Sequence, residues 1–173
     1  MKTSLHRLRS MAQIGVLVFF CAMLGTFAQK TKGSAVPNSR QLKSFIPVLR
    51  RACDAFNRAD FDAAVESLDP QIEWTEPSEF PGGGTYHGRE AVKNYLIHSR
   101  SAWAEGKSEP ERFIVSGNRI VVFVHAKFHL KESNEWQEVR LADVYTVDGG
   151  KIVAMTAFAK REEAVKWARG RSQ

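Results

Sequence analysis

Cysteine is almost absent from this 173-residue chain, which has two, Cys21 and Cys53. The first lies in an N-terminal leader pattern, so after cleavage Cys53 would stand alone and no intrachain disulfide could form, even in an oxidising compartment. Stability must come from packing. Also missing is an apolar run of the roughly 20 residues that a membrane-spanning helix needs. The run from Ile14 to Ala28 is shorter, follows Lys2, Arg7 and Arg9, and ends in Thr26-Phe27-Ala28. A basic start, an apolar middle and small residues at the cut are the marks of a secretory signal. Residues 1–28 are therefore expected to be a signal peptide. The mature protein would be secreted or periplasmic, with no stable membrane insertion after cleavage; anchoring by an uncleaved N-terminal segment is the alternative.

A strong excess of one charge is missing too. The formal net charge of +6 comes from 25 basic and 19 acidic residues, and the leader holds three of the basic ones and no acid. The remaining 22 against 19 leave about +3 spread along the chain, which gives no reason to expect nucleic acid as a partner. The run Gly82-Gly83-Gly84 is followed by Thr-Tyr-His-Gly-Arg-Glu. It lacks the Gly-Lys-Ser/Thr that would close a phosphate loop, and reads as a mobile connection and a lip over a pocket. His125 and His129 share a strand face with Lys127, but four residues of strand span about 13 Å, too far for two ligands of one zinc. No metal and no cofactor is expected. Cys53 falls on an apolar helical stripe and reads as a small buried hydrophobe.

The positive signals are periodic. Residues 29–41 are polar and aperiodic, and read as a flexible tether. Leu42, Phe45, Ile46, Leu49, Cys53 and Phe56 then recur at helical spacing, with Ser44 as cap and Pro47 in the first turn. Asp60 caps a second helix over Phe61 to Leu68, stopped by Asp69-Pro70. Ile72, Trp74 and Glu76 alternate as a strand. A third helix is predicted from Arg89 to Ala104, with Val92, Tyr95, Leu96, Ser99 and Trp103 inward and Gly106 past its end. From Glu111 the period becomes two, with tight connections between successive strands, so an antiparallel sheet is expected. Lys160 to Arg169 is amphipathic enough for a last helix. The class is α+β: a cone-shaped, curved antiparallel sheet wrapped around three N-terminal helices, spanning residues 42–169 with a tail at 170–173. Such a cone suits a small hydrophobic molecule.

Two acids occupy inward positions. Glu76 shares a strand face with Ile72 and Trp74, and Asp143 alternates with Leu141 and Tyr145. A buried carboxylate is costly unless paired or protonated. Pattern alone favours hydrogen-bonded structural acids over a catalytic pair.

The stretch "RRACDAFNRADFDAAVESLDPQIEWTEPSEFPGGGTYHGREAVKNYL" followed by "VYTVDGGKIVAMTAFAKREEAVKWA" resembles the SnoaL-like and ketosteroid-isomerase-related proteins of the nuclear transport factor 2-like superfamily. The resemblance implies the cone already inferred, and a homodimer through the outer sheet face. There the partly apolar Phe123, His125, Val144, Thr156 and Phe158 would be covered. It also implies that Glu76, followed by Pro77, stands where ketosteroid isomerase has its base, and Asp143 where it keeps a protonated acid. The tyrosine that completes that enzyme's oxyanion hole would fall at Ala52, so this donor is lacking. By the same register Trp74, Val122, Val124, Ala126, Phe128, Tyr145 and Met155 face the pocket, and Phe80 and Tyr86 close its mouth. Two functions follow. One is an exported, cofactor-free isomerase, cyclase or hydratase acting by proton transfer on a small hydrophobic carbonyl compound. The other is a non-catalytic small-molecule-binding or dimerisation module.

Overall fold

The computed structural model describes residues 37–133 and 135–170. The expected signal peptide and most of the expected tether lie outside the described residues. Helix α1 spans Ser39–Asn57, starting earlier than the apolar stripe alone suggests. Its cap is Asn38, not Ser44: the Asn38 side chain accepts from the Gln41 N–H at 3.0 Å, and Gln41 Oε1 accepts from the Asn38 N–H at 2.9 Å. This reciprocal pair satisfies two N–H groups that the helix leaves open. The Ser44 hydroxyl instead donates back to the Gln41 carbonyl. Pro47 therefore lies inside the helix and not in its first turn.

A short helix α2, Phe61–Val65, is capped by the Asp60 side chain, as expected, and ends sooner than predicted because β1, Leu68–Glu76, already begins at Leu68. Pro70 sits inside that strand, within the stretch where its pairing register shifts; a residue without an N–H fits such an interruption. The glycine run is only partly a loop. Gly84–His87 form β2, which pairs antiparallel with β1. Helix α3 covers Arg89–Ser101. It stops short of the predicted end, because Trp103 opens the long strand β3, Trp103–Ser116. Gly106 is thus not a helix stop but part of that strand, at φ 148°. β4 (Arg119–Leu130), β5 (Gln137–Asp148), β6 (Lys151–Phe158) and α4 (Arg161–Gly170) complete the chain.

The strands form one curved, unclosed sheet in the order β2-β1-β6-β5-β4-β3. Neighbours pair antiparallel except β1 and β6, which run parallel. The sheet is therefore mixed and not wholly antiparallel: the meander from β3 to β6 brings the last strand beside the first in the same direction. One face packs Leu42, Leu49, Ile72, Val92, Ile120, Val122 and Met155 into the main core with α1 and α3. The other face is covered in part by α4, whose Ala164 and Ala168 bury Val121, Ala142 and Val144 with Phe123 and Phe158 alongside. Of the residues for which a dimer partner is the expected cover, Val144 is buried in this cluster, while Phe123 and Phe158 are only partly buried beside it. His125 is bracketed by carboxylates, its Nε2 2.9 Å from Glu138 and its Nδ1 3.5 Å from Glu111, while His129 faces Glu105.

Candidate functional site

Between the concave sheet face and helices α1 and α3 lies a cavity of about 440 Å³. Trp74, Glu76, Phe80, Val122, Val124, Ala126, Phe128, Asp143 and Tyr145 all line it. Two expected lining residues do not. Met155 stands on β6 between Trp74 of β1 and Tyr145 of β5. The two rings meet edge to face at 6.2 Å above it, leaving it only 1% exposed. Tyr86 is one layer back: its ring lies 4.6 Å from that of Tyr95, and its hydroxyl donates to the Gly82 carbonyl at 2.5 Å.

That hydrogen bond fastens the lip. Phe80, Pro81 and Gly82 line the cavity mouth, and the turn is closed by Phe80 N–H to the Pro77 carbonyl (3.1 Å) and Gly83 N–H to the Phe80 carbonyl (2.8 Å). A Cβ at Gly83 would lie 2.2 Å from the Pro77 carbonyl oxygen. Backbone on both sides leaves nothing to yield cheaply. Gly83→Ala is therefore expected to cost roughly 1–3 kcal/mol, as overpacking does, read as a lower urea midpoint; an unchanged midpoint would show that the lip opens without cost.

The two inward acids share the cavity, and their surroundings differ. The Trp74 indole N–H donates to Glu76 Oε1 at 2.7 Å, and the Tyr95 hydroxyl donates to the same carboxylate. Burial raises the Glu76 pKa, and these two donors hold the rise back. Asp143 is pushed up to about 8, first by burial and then by the charge of Glu76, against a weak opposing hydrogen bond from the Tyr145 hydroxyl at 3.5 Å. Hydrogen-bond donors thus oppose the rise at Glu76, while Asp143 keeps its proton near neutrality. Burial raises the pKa of both Tyr95 and Tyr145, so each stays a neutral donor.

Cys53 also faces the cavity. Its thiol donates to the Ser108 carbonyl at 2.9 Å, and burial pushes its pKa up to about 12, so it is a neutral thiol and a poor nucleophile. Asn57 clamps the same Ser108, its amide donating to the carbonyl and accepting from the N–H, each at 2.8 Å. This ties α1 to β3. Ala52 lines the cavity and brings no donor.

The residue that sequence reasoning undervalued is Tyr95. Its place on the inner stripe of the third helix was legible, but that stripe reads as packing. Only the fold brings its hydroxyl to Glu76, nineteen residues earlier. Trp103 was likewise assigned to a helix and belongs to the cavity wall on β3.

The SnoaL-like domain family matches residues 49–155. Among solved structures, a nuclear transport factor 2-like protein of unknown function from Burkholderia pseudomallei K96243 is similar at 25% identity. The match covers 75% of this chain and 97% of that one, with a TM-score of 0.60. TerC, co-crystallised with polyporic acid, is similar in fold at 20% identity, covering 71% and 96%, TM-score 0.58. So is a protein with a ketosteroid isomerase-like fold from Catenulispora acidiphila DSM 44928, in complex with trimethylamine, at 11% identity, 70% and 86% coverage and TM-score 0.56. No curated protein matches the sequence.

Proposed function

This chain belongs to the SnoaL-like domain family, and from its cavity we propose that it is a proton-transfer catalyst for small hydrophobic carbonyl compounds, needing no cofactor. The observation that carries the reading is that Glu76 and Asp143 line one largely apolar cavity with different surroundings, Glu76 accepting from Trp74 and Asp143 pushed up to about 8 by burial. Ionised Glu76 takes a proton from the carbon beside the carbonyl. The C–H electron pair becomes the enolate double bond, and the carbonyl π pair moves onto oxygen. Protonated Asp143 donates a hydrogen bond to that oxygen, and Glu76 returns the proton either to the same carbon, regenerating the ketone, or to a conjugated carbon, giving a positional isomer. The Trp74 and Tyr95 donors favour the charged form of the base and fix its direction. Tyr145, beside Asp143, is the nearest candidate for the second donor that Ala52 does not supply. General-base assistance of this kind contributes roughly 10²–10⁴-fold.

TerC, alike in fold, was co-crystallised with polyporic acid, which is consistent with this fold holding a small organic molecule. The test needs no knowledge of the natural product. Purified protein in D₂O is offered a panel of small enolisable ketones, and deuterium entry beside the carbonyl is followed by NMR. Exchange above the buffer rate is expected for at least one hydrophobic ketone. Exchange at the buffer rate throughout, despite measurable binding, would leave the non-catalytic binding module as the better reading.

A further inference from the structure

The two donors to Glu76 are held in different ways. The Trp74 indole belongs to the same strand as the acid, two residues away, and its backbone pairs with that of Tyr86 on β2. The Tyr95 hydroxyl comes from α3, on a side chain with two soft torsions, and its ring turns unless it is held. Two groups lie against that ring. The Tyr86 ring is tilted to it by 33°, with centroids 4.6 Å apart. The lip supplies the other: Gly82, at φ 77°, comes so near that a Cβ there would lie 3.3 Å from Tyr95 Cε2 and 3.4 Å from the Tyr86 hydroxyl oxygen.

The Tyr86 hydroxyl donates to the Gly82 carbonyl at 2.5 Å. One hydroxyl thus ties the lip down against the ring whose own hydroxyl serves the acid. Tyr86 does not line the cavity, so it acts on the lip and not on a ligand. The other neighbours of Glu76 do not replace the Tyr95 donor. β2 brings Gly84 opposite it, with no side chain. β5 brings Asp143 and Tyr145, which hydrogen bond to each other at 3.5 Å, and α1 brings the Cys53 thiol, which donates to Ser108. Glu79 on the lip and His98 on α3 are exposed.

We propose that Tyr86 is a positioning residue for the base: by holding Gly82 against the Tyr95 ring it keeps the Tyr95 hydroxyl on Glu76, so that the base has both donors only while the lip is closed. The inference rests on reading Glu76 as the base of this cavity. A ligand that enters past a raised lip meets a carboxylate with one donor fewer, and closure restores the second.

The test follows the Glu76 carboxyl by NMR titration of protein labelled with carboxyl-¹³C glutamate, its signal assigned by the loss of that signal in Glu76→Gln. Tyr86→Phe keeps the ring and removes the hydroxyl. Its Glu76 midpoint is expected to move to higher pH, in the direction of Tyr95→Phe and no further, because loss of a donor disfavours the charged form. In a Tyr95→Phe background the same substitution should add nothing. Gly82→Ala strains the lip at its positive φ and leaves the Tyr86 hydroxyl in place, so it should act as Tyr86→Phe does. Thr85→Val is the control: it removes the hydrogen bond between the Thr75 and Thr85 hydroxyls across the same two strands and should leave the midpoint where it is. An unmoved midpoint in Tyr86→Phe, or an equal shift with and without the Tyr95 hydroxyl, would reduce Tyr86 to a fastener of the loop and overturn the proposal. If Tyr86→Phe does not fold, an unmoved midpoint in Gly82→Ala overturns it alike. Shifted midpoints in a protein that exchanges no deuterium would sink the catalytic reading alone; deuterium exchange with unmoved midpoints would sink the positioning role alone.

Discussion

Glu76→Gln is expected to lower turnover of an enolisable ketone by roughly 10²–10⁴-fold while leaving its dissociation constant nearly unchanged. The amide keeps the size of the carboxylate and can still accept from the Trp74 indole N–H, which now lies 2.7 Å from Glu76 Oε1, but it cannot take a proton. Asp143→Asn, which still donates, should cost less than Asp143→Ala; loss of such a donor is worth about 2.7–4 kcal/mol of transition-state stabilisation. The pH profile carries the same argument. Activity should rise as Glu76 ionises and fall as Asp143 loses its proton near pH 8, giving a bell whose limbs belong to the coupled pair. Tyr95→Phe removes a donor that lowers the Glu76 pKa, so the acid limb should move to higher pH while the basic limb stays. A binding module predicts no turnover to lose, and an acid limb unmoved by Tyr95→Phe would remove that residue from the site.

Asp143→Asn should also change how stability depends on pH. The folded pKa of Asp143 is raised to about 8, against about 3.9 for a free aspartate. Below the free value both states are protonated and the group contributes no slope. Between about 4 and 8 the folded state holds a proton that the unfolded state has released, so its contribution makes stability fall as pH rises; above 8 the slope vanishes again. Asparagine does not titrate. The variant should therefore gain on the parent through this window, by at most about 1.4 kcal/mol per pH unit. Urea unfolding at several pH values measures the difference. Parallel curves for parent and variant would mean that Asp143 is ionised in the folded protein and cannot serve as the neutral donor.

The α+β class and the inward direction of Glu76 and Asp143 were determined by sequence, because each rests on a local period; the family was legible separately, as a resemblance carried by two long residue runs. A side chain two residues along a strand returns to the same face whatever the strand pairs with, so Trp74 led to Glu76, and Leu141 and Tyr145 led to Asp143. The helical stripe from Leu42 to Phe56 was legible for the same reason. The chain ends of elements were less so: the Asn38 cap starts α1 early, and the aromatic, partly apolar stretch after Ser101 continues helical spacing on paper yet pairs with β4 as a strand. What only the tertiary structure decided are relations between elements. Met155 has the right alternation, and is hidden because the rings of its two neighbouring strands close over it. Tyr95 reaches Glu76 because α3 packs beneath β1, and Trp103 meets Phe128 because a bulge and Gly106 bring β3 against β4. The apolar outer face finds part of its cover in α4 of its own chain. Periodicity specifies which way a side chain points from its own backbone; which atoms it meets there, and therefore whether an acid keeps its proton, is set by packing between segments far apart in the chain.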